Sequence, residues 1–273
     1  MTTPIRIGLV GTGFAAGFHF NSYKRVQGVE VELVGAYSRS ADNRQAFCEP
    51  RGIAAFDDFD EMLAAVDVVD VVTPGYVHED YAARAAEAGK HVIVEKPLTG
   101  YFGPPGAGDD WRGDAHPKAD MLEGAMTSVE RIVEAVRTGG VKLMYAENWV
   151  YAPTVQKEVE VIRATGGQIL WMQAEESHSG SHSEAYGVWR KSGGGSMMGK
   201  ACHPLSAVLY FKREEGKASG KGPIRPAAVS ARTHNLTQIP GYRDEGHIRT
   251  DYHDVENFVS VHVVFEDGAV ADV

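Results

Sequence analysis

Apolar runs and helical repeats alternate along the first half of the chain. IRIGLVG (5–11) is a continuous apolar run of strand length, and a helical pattern follows from Phe14 to Val26. VELVGAYS (31–38) predicts a second strand, Ala41 to Arg51 a second helix, DEMLAAV (60–66) a further helical segment and VVDVVTP (68–74) another strand. His78 to Ala88 is an alanine-rich helix closed by Gly89, and HVIVEKP (91–97) is the next strand. Strands that are apolar on both faces, separated by helices, imply a parallel sheet covered on both sides.

Residues 99–119, TGYFGPPGAGDDWRGDAHPKA, break this rhythm, because Gly and Pro dominate and no period survives. A surface insertion in the first domain is expected there, with a lid or subunit contact as the functional alternative. A helix over 120–138 and the strand KLMYAEN (142–148) resume the pattern. After Pro153 a helix runs to about Ala164, and the remainder is rich in strands: QILWMQAEES (168–177), AAVSARTHNL (227–236) and 255–265. In the last of these Val259, Val261, Val263 and Phe265 share one face. KREEGKASGKGP (212–223) reads as an exposed loop. The change of style divides the chain into a domain over 1–148, insertion included, and a second over 149–273. Glu266-Asp267-Gly268 reads as a hairpin turn before AVADV, so the second sheet is expected to be incomplete where the chain stops.

Composition narrows the classes of function. An apolar share of 43% and a charged share of 23% are those of a soluble globular protein. A net charge of −10 argues against nucleic acid as a partner, since binding it requires clustered Lys and Arg. Two cysteines, Cys48 and Cys202, make no disulfide framework and suit a reducing cytoplasm. The opening MTTPIRIGLVGTG enters a strand directly and reads as no signal peptide. No apolar stretch approaches the roughly 20 residues that cross a bilayer. A cytoplasmic protein without a membrane partner is the expectation.

The chemistry begins at G11-T-G13-F-A-A16, which follows a strand and opens a helix. Gly11 permits a tight turn, Gly13 lets the backbone approach a pyrophosphate, and the small Ala16 allows close packing of helix on strand. Gly11, Gly13, Phe14 and Ala16 are therefore candidate dinucleotide contacts. The end of the second strand carries Ser38 and Arg39 and no carboxylate to hold a ribose 2′-hydroxyl. A hydroxyl followed by a guanidinium suits a 2′-phosphate, which favours NADP over NAD; Arg39 can also stack on the adenine.

T73-P-G-Y-V-H78 at the end of one strand and A88-G-K-H-V-I-V-E95-K96-P97 at the end of the next carry more information. With GTGFAAGFH, ENWVYAP (147–153) and GGGSMMGKACHPL (193–205), the chain resembles the Gfo/Idh/MocA oxidoreductases, the glucose–fructose oxidoreductase and inositol dehydrogenase family. The resemblance implies an α/β protein. A Rossmann domain, a doubly wound parallel sheet, would precede an α/β domain with a large, mostly antiparallel open sheet that often mediates homo-oligomerisation. It implies NAD(P)-dependent oxidation or reduction at a hydroxyl or carbonyl carbon, commonly of a sugar or cyclitol. Thr73, Pro74, His78, Glu95 and Lys96 would lie at the cofactor, with Lys96 also touching substrate and the Lys96-Pro97 bond cis. Hydride transfer from an alcohol requires a group to take the hydroxyl proton and a donor to steady the oxygen, and a lysine at a strand end can do either.

On the substrate side the resemblance points to His203, in many members the second half of an Asp–His pair four residues apart. Here the aspartate position is Gly199, so no local carboxylate is expected to orient the imidazole. Lys200 either faces His203 or points to solvent. Asn148, Tyr151, His178, His182, Trp189 and Lys200 are the further candidates for a polyol site, aromatic faces and polar donors suiting such a ligand. His178 and His182 have no Cys or spaced carboxylate to complete a metal set, and no metal is expected. A lysine–histidine relay at Lys96 and His203 is the leading reading. The alternatives are an enzyme that keeps its cofactor bound and shuttles hydride between sugars or through a lyase-type reaction, and a non-catalytic NAD(P)-binding sensor or scaffold.

Overall fold

The computed structural model describes residues 3–108, 110–180 and 184–273, the last range without the Glu184 side chain. Contacts group the chain into two compact units. One comprises Met1–Tyr101 with Pro117–Ala146, the other Phe102–His116 with Glu147–Val273.

In the first unit β1 (Ile5–Val10) leads into α1 (Phe14–Tyr23), β2 (Val31–Tyr37) and α2 (Ala41–Cys48). Ser40 caps α2 by accepting the Asn43 N–H. A short strand, β3 (Ala54–Phe56), which the periodicity does not predict, precedes α3 (Phe59–Ala65) and β4 (Val68–Val71). Asp58 caps α3 through the N–H groups of Asp60 and Glu61. Next come α4 (His78–Glu87), β5 (His91–Val94), α5 (Lys118–Gly139) and β6 (Leu143–Tyr145). The six strands lie in the order β3-β2-β1-β4-β5-β6, and every pairing is parallel. This is the doubly wound dinucleotide-binding order, in which ligands lie beyond the carboxyl ends of the strands where the order reverses. One apolar cluster packs α3, α4 and α5 on one face, around Met62, Ala82 and Ile132. Another packs α1 and α2 on the opposite face, around Leu9, Phe20 and Phe47.

The second unit holds α6 (Pro153–Thr165), β7 (Trp171–Gln173), α7 (Trp189–Ser192) and α8 (Cys202–Ala218), then β8 (Pro226–His234), β9 (Phe258–Phe265) and β10 (Val270–Asp272). Its four-stranded sheet has the order β7-β10-β9-β8, antiparallel except for the β7–β10 pair. Val208 of α8 packs on Val261, Val263 and Phe265, the face that alternation in β9 predicts. The strand expected over 168–177 is confined to the three residues of β7.

Two expectations need correction. The charged stretch 212–223 is not an exposed loop: α8 continues to Ala218, and Lys212 is fully buried. Its ammonium lies 2.6 Å from Glu215 Oε2 and 2.7 Å from Asp267 Oδ2, while Glu214 meets Arg163 and Lys217. Those partners satisfy the charges that composition assigns to solvent. The insertion is also divided differently, since residues 102–116 pack with the second unit. Gly113 lies so close to Trp189 that a Cβ there would collide with the indole, and its N–H donates to Asp254 Oδ2 at 2.8 Å.

Candidate functional site

In the first unit the site is built at the strand ends. Gly11 adopts φ +109°, and a Cβ there would meet the Val72 carbonyl oxygen at 3.0 Å, so the turn after β1 requires glycine twice over. Ala16 is completely buried on the inner face of α1, while Phe14 and Phe18 form an exposed edge-to-face pair. Gly13 precedes α1 with open space where a Cβ would stand. No side chain caps that helix and no acidic residue stands in its first turn. Its first amides and positive dipole end are thus left for an anion.

Ser38 accepts from Thr12 Oγ1 at 3.1 Å and donates to the Ser40 carbonyl at 3.1 Å, linking the glycine turn to the end of β2. Arg39 is exposed, and its Nη2 donates to the Tyr76 hydroxyl at 3.2 Å. Thr73 has a buried hydroxyl that bonds to nothing among the described residues, and Pro74 is exposed beside it. His78 is wholly buried, its nitrogens 2.7 Å from the Thr73 carbonyl and 2.8 Å from that of Pro97. Its ring clasps the turn after β4 to the turn after β5, so any influence on a cofactor passes through those turns. The Lys96-Pro97 peptide is cis. These features fit a dinucleotide: a glycine cradle, an uncapped helix start and an orphaned hydroxyl at the end of β4.

A charged network that the sequence reading missed lies beneath this corner. His19 Nδ1 is 2.7 Å from Asp70 Oδ2, and its Nε2 is 3.1 Å from Glu95 Oε1. Tyr23 donates to the same Asp70 oxygen at 2.7 Å. Burial disfavours the imidazolium, but hydrogen bonds and attraction from both carboxylates outweigh it and push the His19 pKa up to about 10. Glu95 uses its other oxygen to accept the Lys96 N–H at 2.8 Å. Burial would raise the Glu95 carboxyl, yet the bonds from His19 and the Lys96 N–H hold it below its usual range. The available signal was Asp70 itself, a charge inside an apolar strand that requires a partner.

In the second unit three glycines turn the chain into a π-helical turn, Met197–Ala201, that runs on into α8. Glu256 receives this helix start, its carboxylate accepting the N–H groups of Gly195 and Met197, each at 3.1 Å. Its carbonyl lies where a Cβ on Gly195 would have to be. His203, only 8% exposed, follows in the first turn of α8. Its Nδ1 is 2.7 Å from Oε1 of Glu147, a residue 3% exposed that also accepts the Trp149 N–H at 3.0 Å. No local carboxylate meets this imidazole; Glu147 brings one from a distant part of the chain. Cys202 joins the corner, and one ligand atom each from Glu147, Cys202 and His203 lies within 4.8 Å of the others.

The remaining candidates of this unit spread outward. Lys200 turns to His178, with Nζ 3.1 Å from Nδ1, and both line a cleft of about 650 Å³ with Ser196 and Arg232. Tyr151 and Asn148 are exposed. Trp189 is occupied in seating Gly113. His182 lies outside the described residues.

Residues 5–102 match the Gfo/Idh/MocA family, described as an oxidoreductase family with an NAD-binding Rossmann fold. The match to that family lies almost entirely in the first unit. Over 93 residues it is 31% identical to glucose-6-phosphate 3-dehydrogenase of Bacillus subtilis, covering 34% of this chain and 26% of that protein. An uncharacterised protein of Saccharomyces cerevisiae is 25% identical over 227 residues, 80% of this chain and 58% of the yeast protein. The solved structure of levoglucosan dehydrogenase, in complex with NADH and levoglucosan, superposes with a TM-score of 0.73 at 20% identity. That superposition covers 99% of this chain and 66% of the dehydrogenase, and it shows that the two share a fold. The chain thus spans under two thirds of the length of these relatives.

Proposed function

We propose that this protein is an NAD(P)-dependent oxidoreductase that moves hydride between nicotinamide and a hydroxyl or carbonyl carbon of a sugar, cyclitol or similar polyol. The observation that carries the reading is the corner where the glycine turn, the orphaned Thr73 hydroxyl and the Glu95-Lys96-Pro97 turn meet at the strand ends. The names of relatives that act on glucose 6-phosphate and levoglucosan support the substrate class. Bound nicotinamide supplies the hydride acceptor or donor.

The chain's own residues do the rest. Gly11, Gly13, Phe14 and Ala16 shape the pyrophosphate seat, and Thr73, Pro74 and His78 hold the turn beside it. Glu95, fixed by His19, orients the Lys96 backbone. Lys96 and His203 serve as the proton relay for the reacting hydroxyl. Arg39, with Ser38 beside it and no acidic residue at the end of β2, favours NADP over NAD. Asn148, Tyr151, His178, His182, Trp189 and Lys200 are proposed to contribute to polyol recognition. Assembly of copies through the second sheet, where all nine residues of β8 are exposed, accompanies this reading.

Calorimetric titration with NAD and NADP, followed by a sugar and polyol panel read at the nicotinamide absorbance, tests the proposal. Binding with turnover on a polyol is the expected result. Binding without turnover on any of them would favour a sensor or scaffold instead.

A further inference from the structure

The relay leaves a question at His203. An imidazole acts as a base only if one nitrogen keeps its lone pair toward the reacting group, and the tautomer is set by whatever the other nitrogen meets. Gly199, where many relatives are expected to carry aspartate, has no side chain to meet it. A Cβ built there would find only Tyr186, at 3.7 Å, as its nearest neighbour.

Glu147 reaches the same ring by another route. Its backbone begins the short 3-10 turn Asn148–Tyr151 at the entry to the second unit, and its carboxylate caps that turn through the Trp149 N–H. The same oxygen, Oε1, lies 2.7 Å from His203 Nδ1, and the Trp149 ring stands 6.0 Å from the imidazole. Both partners are more than nine-tenths buried, and the second carboxylate oxygen, Oε2, is buried without a hydrogen bond among the described residues. An ionised carboxylate only accepts, so the proton must sit on Nδ1. In the neutral ring Nε2, for which no partner is found among the described residues, then holds the lone pair.

We propose that Glu147 is the positioning residue that fixes His203, in its neutral form, with its proton on Nδ1 and its lone pair on Nε2. The inference rests on the proposed relay for its consequence in catalysis, but the tautomer can be measured without it. Carboxylates that orient a histidine base in this way control both the ring's tautomer and its direction.

The test uses nitrogen-15-labelled histidine in the intact protein, with long-range proton–nitrogen NMR on wild type, Glu147→Gln and Glu147→Ala. Wild type is expected to show His203 as the Nδ1–H tautomer. Glu147→Gln keeps an acceptor oxygen and should largely retain it, whereas Glu147→Ala should shift the ring toward Nε2–H or a mixture. With a turned-over substrate, Glu147→Ala should lower kcat about a hundredfold with the cofactor KM unchanged, and Glu147→Gln should recover part of that loss. A wild-type Nε2–H tautomer, or a tautomer indifferent to Glu147→Ala, would overturn the inference. So would one equivalent of a divalent metal in the purified protein, because Glu147, Cys202 and His203 would then be its ligands. Absence of turnover in wild type would count against the oxidoreductase reading, while the NMR result would still decide the role of Glu147.

Discussion

His19 Nε2 lies 3.1 Å from Glu95 Oε1, which joins the helix that starts at the glycine turn to the carboxylate that precedes Lys96. With Asp70 on the other nitrogen, the imidazolium is held in place from both sides. The glycine turn and the lysine turn are therefore connected through one partly buried charge.

Stability should depend on that charge in a direction the raised pKa determines. A histidine whose folded pKa is about 10, against about 6.5 unfolded, binds its proton more tightly in the native state. Its contribution is complete below pH about 6.5 and disappears as pH rises toward 10. The stability gap between wild type and His19→Asn, measured by urea denaturation, should be widest near pH 6 and should narrow steadily to pH 10. A gap that widened with pH would show that His19 is neutral in the fold.

Gly11→Ala places a side chain at φ +109° and 3.0 Å from the Val72 carbonyl. A loss of about 1–3 kcal/mol of stability is expected from the strained backbone alone. Calorimetry should show weakened dinucleotide binding in the same variant, because relaxing the turn moves the seat. Unchanged stability and affinity would remove the glycine requirement from the account.

Arg39→Ala should weaken NADP binding about ten- to a hundredfold while leaving NAD within a few-fold, since a guanidinium–phosphate contact is lost only with the former. Equal losses for both cofactors would assign Arg39 to the adenine face. Parallel titrations with the two dinucleotides separate these outcomes.

Lys212→Met removes the cation from a cluster in which Glu215 and Asp267 both rely on it. Burial opposes the Asp267 charge, yet the Lys212 ammonium and the Ala269 N–H keep its carboxyl below the usual range. Leaving those charges unpaired should cost about 3–5 kcal/mol, and adding Asp267→Asn should recover part of it. Thermal and urea melts of the single and double variants provide the comparison.

These residues also show what the sequence could reveal. Strands β1, β4 and β5 were legible because they are continuous apolar runs between helical patterns, and their order follows from right-handed crossovers. Strand β3, the three residues Ala54–Phe56, is too short to carry a period. Lys212 read as solvent-facing because its partner Asp267 lies 55 positions away. Glu147 stands in the segment ENWVYAP beside Asn148 and Tyr151, with nothing in its spacing to tell it from a solvent-facing carboxylate. Only the approach of α8 brings it to His203, 56 residues later. Asp70 was the detectable case, since a carboxylate in the middle of a buried strand demands a donor. At Gly199 the sequence shows that no carboxylate lies one helical turn before His203, and it carries no sign of which distant residue faces the ring.

Lys96 offers the most direct test of the central claim. Lys96→Ala should still bind NADP or NAD within a few-fold of wild type, because the glycine turn and α1 are untouched. Its turnover of the polyol that wild type uses should fall by at least about a hundredfold. Turnover equal to wild type in this variant would contradict the account, whatever the cofactor affinity.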